Sequence, residues 1–168
     1  ECSFNMSGET VIHGGDLEKL SELSCEPKYK TGYDRNYWIW EEYQSDGSYM
    51  ISADIARGDG RDYSAFHIFR IDTMEIVAEY KGKLTPDMYA DLLYDVGKEY
   101  GTCMIVAENN NVGFSVLSKL IEKGYTNIYY STKANHEYVD AYVAQHQSNA
   151  VPGFTTSMKT RPLVIAKM

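Results

Sequence analysis

The sequence predicts an α/β domain built on a mixed sheet, and three observations point to it. From Tyr49 onward the pattern is regular, with strands at 49–56, 63–71 and 75–81. The continuous apolar run from Thr102 to Ala107 suits a strand buried on both faces, and so one with a parallel neighbour. Two further stretches repeat their apolar residues at helical spacing. At 168 residues the chain is one domain by length and long enough to bury a core.

Residues 1–48 show no sustained periodicity. Gly8, Gly14-Gly15, Pro27 and Gly32 punctuate them, and Asp16 to Leu23 amounts to two helical turns. Residues 1–35 therefore read as a connector, with the domain proper at 36–168. Trp38-Ile39-Trp40 is either an edge strand or a packing plug. In the first regular strand Met50, Ser52, Asp54 and Ala56 face one side, and Tyr49, Ile51, Ala53 and Ile55 the other. Asp54 is thus a lone carboxylate in mid-strand, costly unless something pairs with it. Asp59-Gly60 marks a tight reversal in which glycine supplies the positive φ.

Thr85-Pro86 opens the first long helix, with Thr85 as N-cap. Met88, Leu92, Leu93, Val96 and Tyr100 mark its inner face, and Gly101 ends it. Asn109-Asn110-Asn111 leads into a second helix with Val116, Leu117, Leu120 and Ile121 inside and Gly124 at its end. Residues 127–130 make a last short strand. Tyr138 to Val143 has strand character, Pro152-Gly153 reads as a turn, and Thr160-Arg161-Pro162 as a helix start. Three strands, helix, strand, helix, strand is the plan of the ribonuclease-H-like fold: a mixed five-stranded sheet with flanking helices and right-handed crossovers.

Composition narrows the function. Sixteen basic residues against twenty-four acidic give a net charge of −8, so any nucleic-acid contact must come from local basic clusters. No apolar run approaches a membrane span, and no secretory signal is visible. Cys2, Cys25 and Cys103 have no framework or metal spacing and read as free thiols in a reducing cytoplasm. His13, His67, His136 and His146 lack zinc spacing.

Carboxylates are the chemistry that remains. Asp54 lies on the first strand and Glu108 ends the apolar one; as neighbours they would face each other, and two such carboxylates repel without a cation between them. Taken alone, Glu108 simply reaches water. Asp62 either adds oxygen ligands to the same point or caps its turn. Arg57 and Arg61 flank that turn and either contact phosphates or pair with the acids. An all-oxygen site suits Mg²⁺ or Mn²⁺.

Two motifs, Asp54-Ile55-Ala56-Arg57-Gly58-Asp59-Gly60-Arg61-Asp62-Tyr63 and Ala107-Glu108-Asn109-Asn110-Asn111-Val112-Gly113, resemble the nuclease domain of the large terminase subunit of tailed bacteriophages. The resemblance spans about residues 36–130 and extends to Thr156-Ser157-Met158-Lys159-Thr160-Arg161-Pro162. It implies a metal-dependent endonuclease that cuts concatemeric double-stranded DNA by a two-metal mechanism during genome packaging, in the cytoplasm of the infected host. Asp54 would bridge both ions, Glu108 would hold one, and Asp62 would add a ligand or orient a water. Arg57, Arg61, Lys159 and Arg161 would contact DNA. The implied partners are the portal protein and the small terminase subunit, with no membrane. Residues 1–15 look like the end of the preceding ATPase domain. The family's third catalytic Asp belongs on a later helix, yet no Asp or Glu follows Asp140, so a truncated, weakly active or inactive domain is expected. A junction resolvase of the same fold, or a non-catalytic docking module for portal or DNA, are the rival readings.

Overall fold

Residues 14–133, 137–144 and 149–166 are described by a computed structural model. In chain order the elements are α1 (Gly14–Leu23), β1 (Tyr29–Thr31), β2 (Tyr37–Ile39), β3 (Tyr49–Asp54), β4 (Ser64–Arg70), β5 (Glu75–Gly82), α2 (Pro86–Glu99), β6 (Met104–Ala107) and α3 (Gly113–Glu122). They are followed by β7 (Tyr130–Thr132), β8 (Tyr138–Val139), α4 (Ala141–Ala144), β9 (Ala150–Pro152) and α5 (Thr160–Ile165). A six-stranded sheet in the order β1-β2-β5-β4-β3-β6 forms the spine, and β8-β7-β9 form a smaller one.

The α/β class and the mixed sheet stand as the sequence predicts, but the strand count does not. β1 and β2 extend the meander beyond β5, and both pairings are antiparallel. The Trp38 segment is therefore an inner strand, and the edge belongs to β1, drawn from the expected connector. The predicted strand at 127–130 reaches the main sheet only as a bridge between Ile128 and Ile105, and the chain then leaves to build the smaller sheet. Tyr138 to Val143 splits into two residues of strand and one turn of helix.

β3, β4 and β5 pair antiparallel, and β6 lies parallel to β3 with Ala53 opposite Ala107. The inward residues Ile51, Phe66, Ile68, Ala78 and Ile105 are fully buried beneath Leu93 of α2 and Val116, Leu117 and Leu120 of α3. Each large apolar side chain buried there contributes roughly 1.5–3 kcal/mol. Thr85 accepts a hydrogen bond from the Met88 amide at 3.4 Å, the predicted cap, and Gly101 follows the helix at φ +73°.

The helix faces differ from expectation by one residue. Met88 is exposed and Tyr89 is fully buried, because the Tyr89 hydroxyl donates to the Ala65 carbonyl at 2.7 Å and so enters the core satisfied. On α3, Ile121 is exposed while Leu120 is buried. The opposite sheet face, carrying Ser52, Asp54, Ala65 and His67, has no fully buried residue on β3 or β4.

Candidate active site

Alternation along β3 sends Asp54 to the open face, as predicted, but at the strand's last residue and in solvent rather than in mid-strand. Beside it, the Glu108 amide donates to the Ala53 carbonyl at 3.2 Å, one residue past the Ala53–Ala107 pair. Asp54 and Glu108 therefore stand side by side at the carboxyl ends of adjacent parallel strands, where α/β sheets place ligands. One Asp54 oxygen accepts from the Ile55 amide at 3.0 Å.

The 55–63 connection is longer than a tight hairpin, and its positive φ falls on Gly58 at +81°, not on Gly60. A Cβ at Gly58 would collide with the Leu84 carbonyl, so glycine lets this loop lie against the start of α2. Gly113 has a similar function: a Cβ there would strike the Glu108 carbonyl, so its absence lets α3 begin close behind β6.

Three open clefts meet here, and each is shared by two of the acids. Asp54 and Glu108 line one of about 560 Å³, with Arg161 and His67. Asp62 and Glu108 line a second of about 540 Å³, with Arg57, and Asp54 and Asp62 a third of about 480 Å³, with Arg61. The three carboxylates thus surround a region without converging: among the described residues, no group of three or more His, Cys, Asp or Glu could hold a metal together. Lys159 is exposed and lines none of the clefts.

Among the described residues, Asp54, Glu108 and Asp62 form no ion pair, and neither do Arg57, Arg61 or Arg161. Two adjacent carboxylates without a cationic partner suit a hard divalent ion, and Mg²⁺ commonly binds through one or two carboxylates with water and substrate phosphate completing its shell. The donor set fits such an ion.

The run of asparagines is more than a helix start. Asn110 Nδ2 donates to Glu108 Oε1 at 2.7 Å and to the Thr156 carbonyl at 2.9 Å. Asn109 donates to the Pro152 carbonyl at 3.0 Å and accepts from the Thr155 hydroxyl at 2.9 Å. Backbone bonds between Phe154 and both Ala107 and Asn109 complete the seam. Ser157 then caps α5, its hydroxyl accepting from the Thr160 amide at 3.1 Å, which sets Arg161 at the cleft. The sequence signal for this seam was three asparagines directly after a strand end; nothing in it named their partners.

No family model matches the chain, and no curated protein does. Solved structures do. The chain is similar to the large terminase nuclease from thermophilic phage G20c, with 26% identity, 62% of this chain and 54% of that one covered, and a TM-score of 0.53. The cobalt-bound form of the G20c nuclease matches with 22% identity over 88% of this chain and 63% of that one, with a TM-score of 0.61. For the magnesium-bound form the values are 21%, 88%, 64% and 0.60. Over these structures this chain spans 54–64% of their length. The resemblance read from the two motifs thus has a structural counterpart, and the fold is that of large terminase nuclease domains.

Proposed function

We propose that this chain is the nuclease portion of a phage large terminase, cutting concatemeric double-stranded DNA with Mg²⁺ or Mn²⁺ in the cytoplasm of the infected host. One observation carries the reading: Asp54 and Glu108 stand together at the carboxyl ends of parallel β3 and β6, and no cation among the described residues is paired to either. The likeness to the G20c nuclease supports it, and the magnesium- and cobalt-bound forms of that protein support a divalent cofactor. Portal protein and small terminase subunit are the partners this reading assigns to the assembled motor.

In this mechanism Asp54 and Glu108 would hold the metal, and Asp62 would add an oxygen ligand or orient a water from the facing loop. Two divalent ions held there would supply a more acidic attacking water and a counter-charge for the leaving oxygen. Asn110 fixes one Glu108 oxygen by donating to it, which leaves lone pairs free for ligation. Arg57, Arg61 and Arg161, one to each cleft, present guanidinium forks matched to phosphate oxygens, and Lys159 adds charge outside them.

Two measurements test this. Mn²⁺ should raise the melting temperature, and the Asp54→Asn/Glu108→Gln double variant should lose that shift. Whatever plasmid nicking the chain shows in Mn²⁺ should disappear in Asp54→Ala. A full thermal shift in the double variant would remove the metal site from these residues. Faster cleavage of four-way junctions than of linear duplex would favour a junction-resolving nuclease instead.

A further inference from the structure

The row that carries Asp54 continues past β4. Asp54 pairs with Ala65, and Ala65 pairs with Lys81 of β5. Antiparallel partners share a face, so Lys81 stands on the Asp54 side of the sheet two strands away, roughly 10 Å at ordinary strand spacing. Tyr63 and Lys83 lie one residue beyond the Ser64–Gly82 pair that ends this ladder. The side chains meet there. The Lys81 ammonium lies 5.1 Å from the Tyr63 ring centroid and the Lys83 ammonium 4.9 Å. Tyr63, Lys81 and Arg61 line the cleft shared by Asp54 and Asp62.

Lys19, Lys30, Lys119 and Lys123 pair with carboxylates, and Lys98 lies over the Tyr94 and Tyr125 rings away from the clefts. Among the described residues, Lys81 and Lys83 have no acidic partner. The difference matters physically: a carboxylate orients an ammonium and cancels its charge, whereas a ring orients it and leaves the charge intact. Tyr63 therefore holds two like charges side by side at the lip of the cleft, ready for an anion from outside.

We propose that Tyr63, Lys81 and Lys83 form a shelf that grips the phosphodiester backbone of DNA on the β5 flank of the cleft. The inference rests on the nuclease reading and adds a binding surface to it. With Arg161 beside β6, the shelf sets the path of the bound backbone across the open sheet face, from β5 past Asp54 to β6. Tyr63 acts here by positioning the lysines.

Anisotropy of a labelled DNA duplex across a salt series tests the shelf. Lys81→Gln/Lys83→Gln should weaken binding roughly tenfold at low salt and flatten the slope of log affinity against log salt by about 1.8, two phosphate contacts at about 0.9 each. Tyr63→Leu should weaken binding while leaving the slope near that of the native chain, because both charges remain. Lys28→Gln/Lys98→Gln removes the same net charge away from the shelf and should bind as the native chain does. Unchanged affinity and slope in the Lys81/Lys83 variant overturn the shelf, and so does equal weakening by the Lys28/Lys98 control. A native chain that binds no duplex overturns the shelf and the nuclease reading together. Loss of affinity in the shelf variant, with no Mn²⁺-induced thermal shift in the native chain, upholds the shelf and counts against the nuclease reading alone.

Discussion

Asn110 joins three things: its side-chain amide donates to the Glu108 carboxylate and the Thr156 carbonyl, and its backbone carbonyl accepts from the Gly113 amide in the turn into α3. Removing it leaves a half-buried carboxylate and a carbonyl short of a donor. Asn110→Ala should therefore cost about 1–3 kcal/mol in a urea melt and shrink the Mn²⁺-induced thermal shift, since Glu108 is then free to turn away. Asn110→Asp is the sharper test, because it puts a like charge where a donor stood; it should be the less stable of the two at neutral pH and recover in acid. Gly58 is constrained by backbone rather than by chemistry. With φ at +81° and the Leu84 carbonyl where a Cβ would go, Gly58→Ala should destabilise by ~2 kcal/mol or more and shift the loop that carries Asp62. Equal urea midpoints for Gly58→Ala and the native chain would show that the loop can yield.

Two elements, α2 and α3, cover the core face, and their fit depends on a glycine that helix propensity would discard. Gly97 lies inside α2, where alanine would be favoured by about 1 kcal/mol. In the fold, a Cβ at Gly97 would meet the Tyr125 ring and hydroxyl, and that hydroxyl is committed to the Cys103 carbonyl at 2.6 Å. Overpacking costs roughly 1–3 kcal/mol, so packing outweighs propensity and Gly97→Ala should lower the urea midpoint. A raised midpoint would mean that Tyr125 moves aside freely. At the other end of α2, Thr85→Ala should cost about 1 kcal/mol through loss of its cap. The same comparison explains the misread helix face: spacing alone favoured Met88, but Tyr89 brings a larger ring and a partner for its hydroxyl.

At the scale of the whole molecule, buried acids of high pKa set an alkaline limit. Burial pushes the Cys103 thiol up to about 11 and raises the hydroxyls of Tyr37, Tyr100 and Tyr125 well above the usual tyrosine range. Each group favours its neutral form in the fold more than in the unfolded chain. Their contribution is therefore complete below the unfolded values, near 9 for the thiol and 10 for the tyrosines, and is lost as pH rises beyond them. Urea midpoints should be level between pH 7 and 8.5 and fall through pH 9 to 11, and Cys103→Ala should remove the earliest part of that fall. Thiol labelling at neutral pH should modify exposed Cys25 and spare buried Cys103 in the folded chain. A flat stability profile to pH 11 would show that these groups ionise without opening the core.

Local pattern was enough to read the α/β class, the β3–β4–β5 meander, the parallel placement of β6, both helices of the core layer, and the face of β3 that carries Asp54. These follow from alternation, helical spacing, caps and the length of an apolar run, all of which are properties of contiguous residues. What stayed hidden depends on partners distant in the chain. The Asn110–Thr156 bond joins residues 46 apart, and it brings Arg161 to the cleft. Lys81 reaches the Asp54 row only through the registers of two strand pairs, and a one-residue slip in either would send it to the other face. The 55–63 loop holds Asp62 across from Asp54 and Glu108 because Gly58 packs on Leu84, a contact no spacing encodes. Side-chain alternation is a local consequence of the extended backbone; register and loop docking are free-energy choices among distant segments, made only when the core closes.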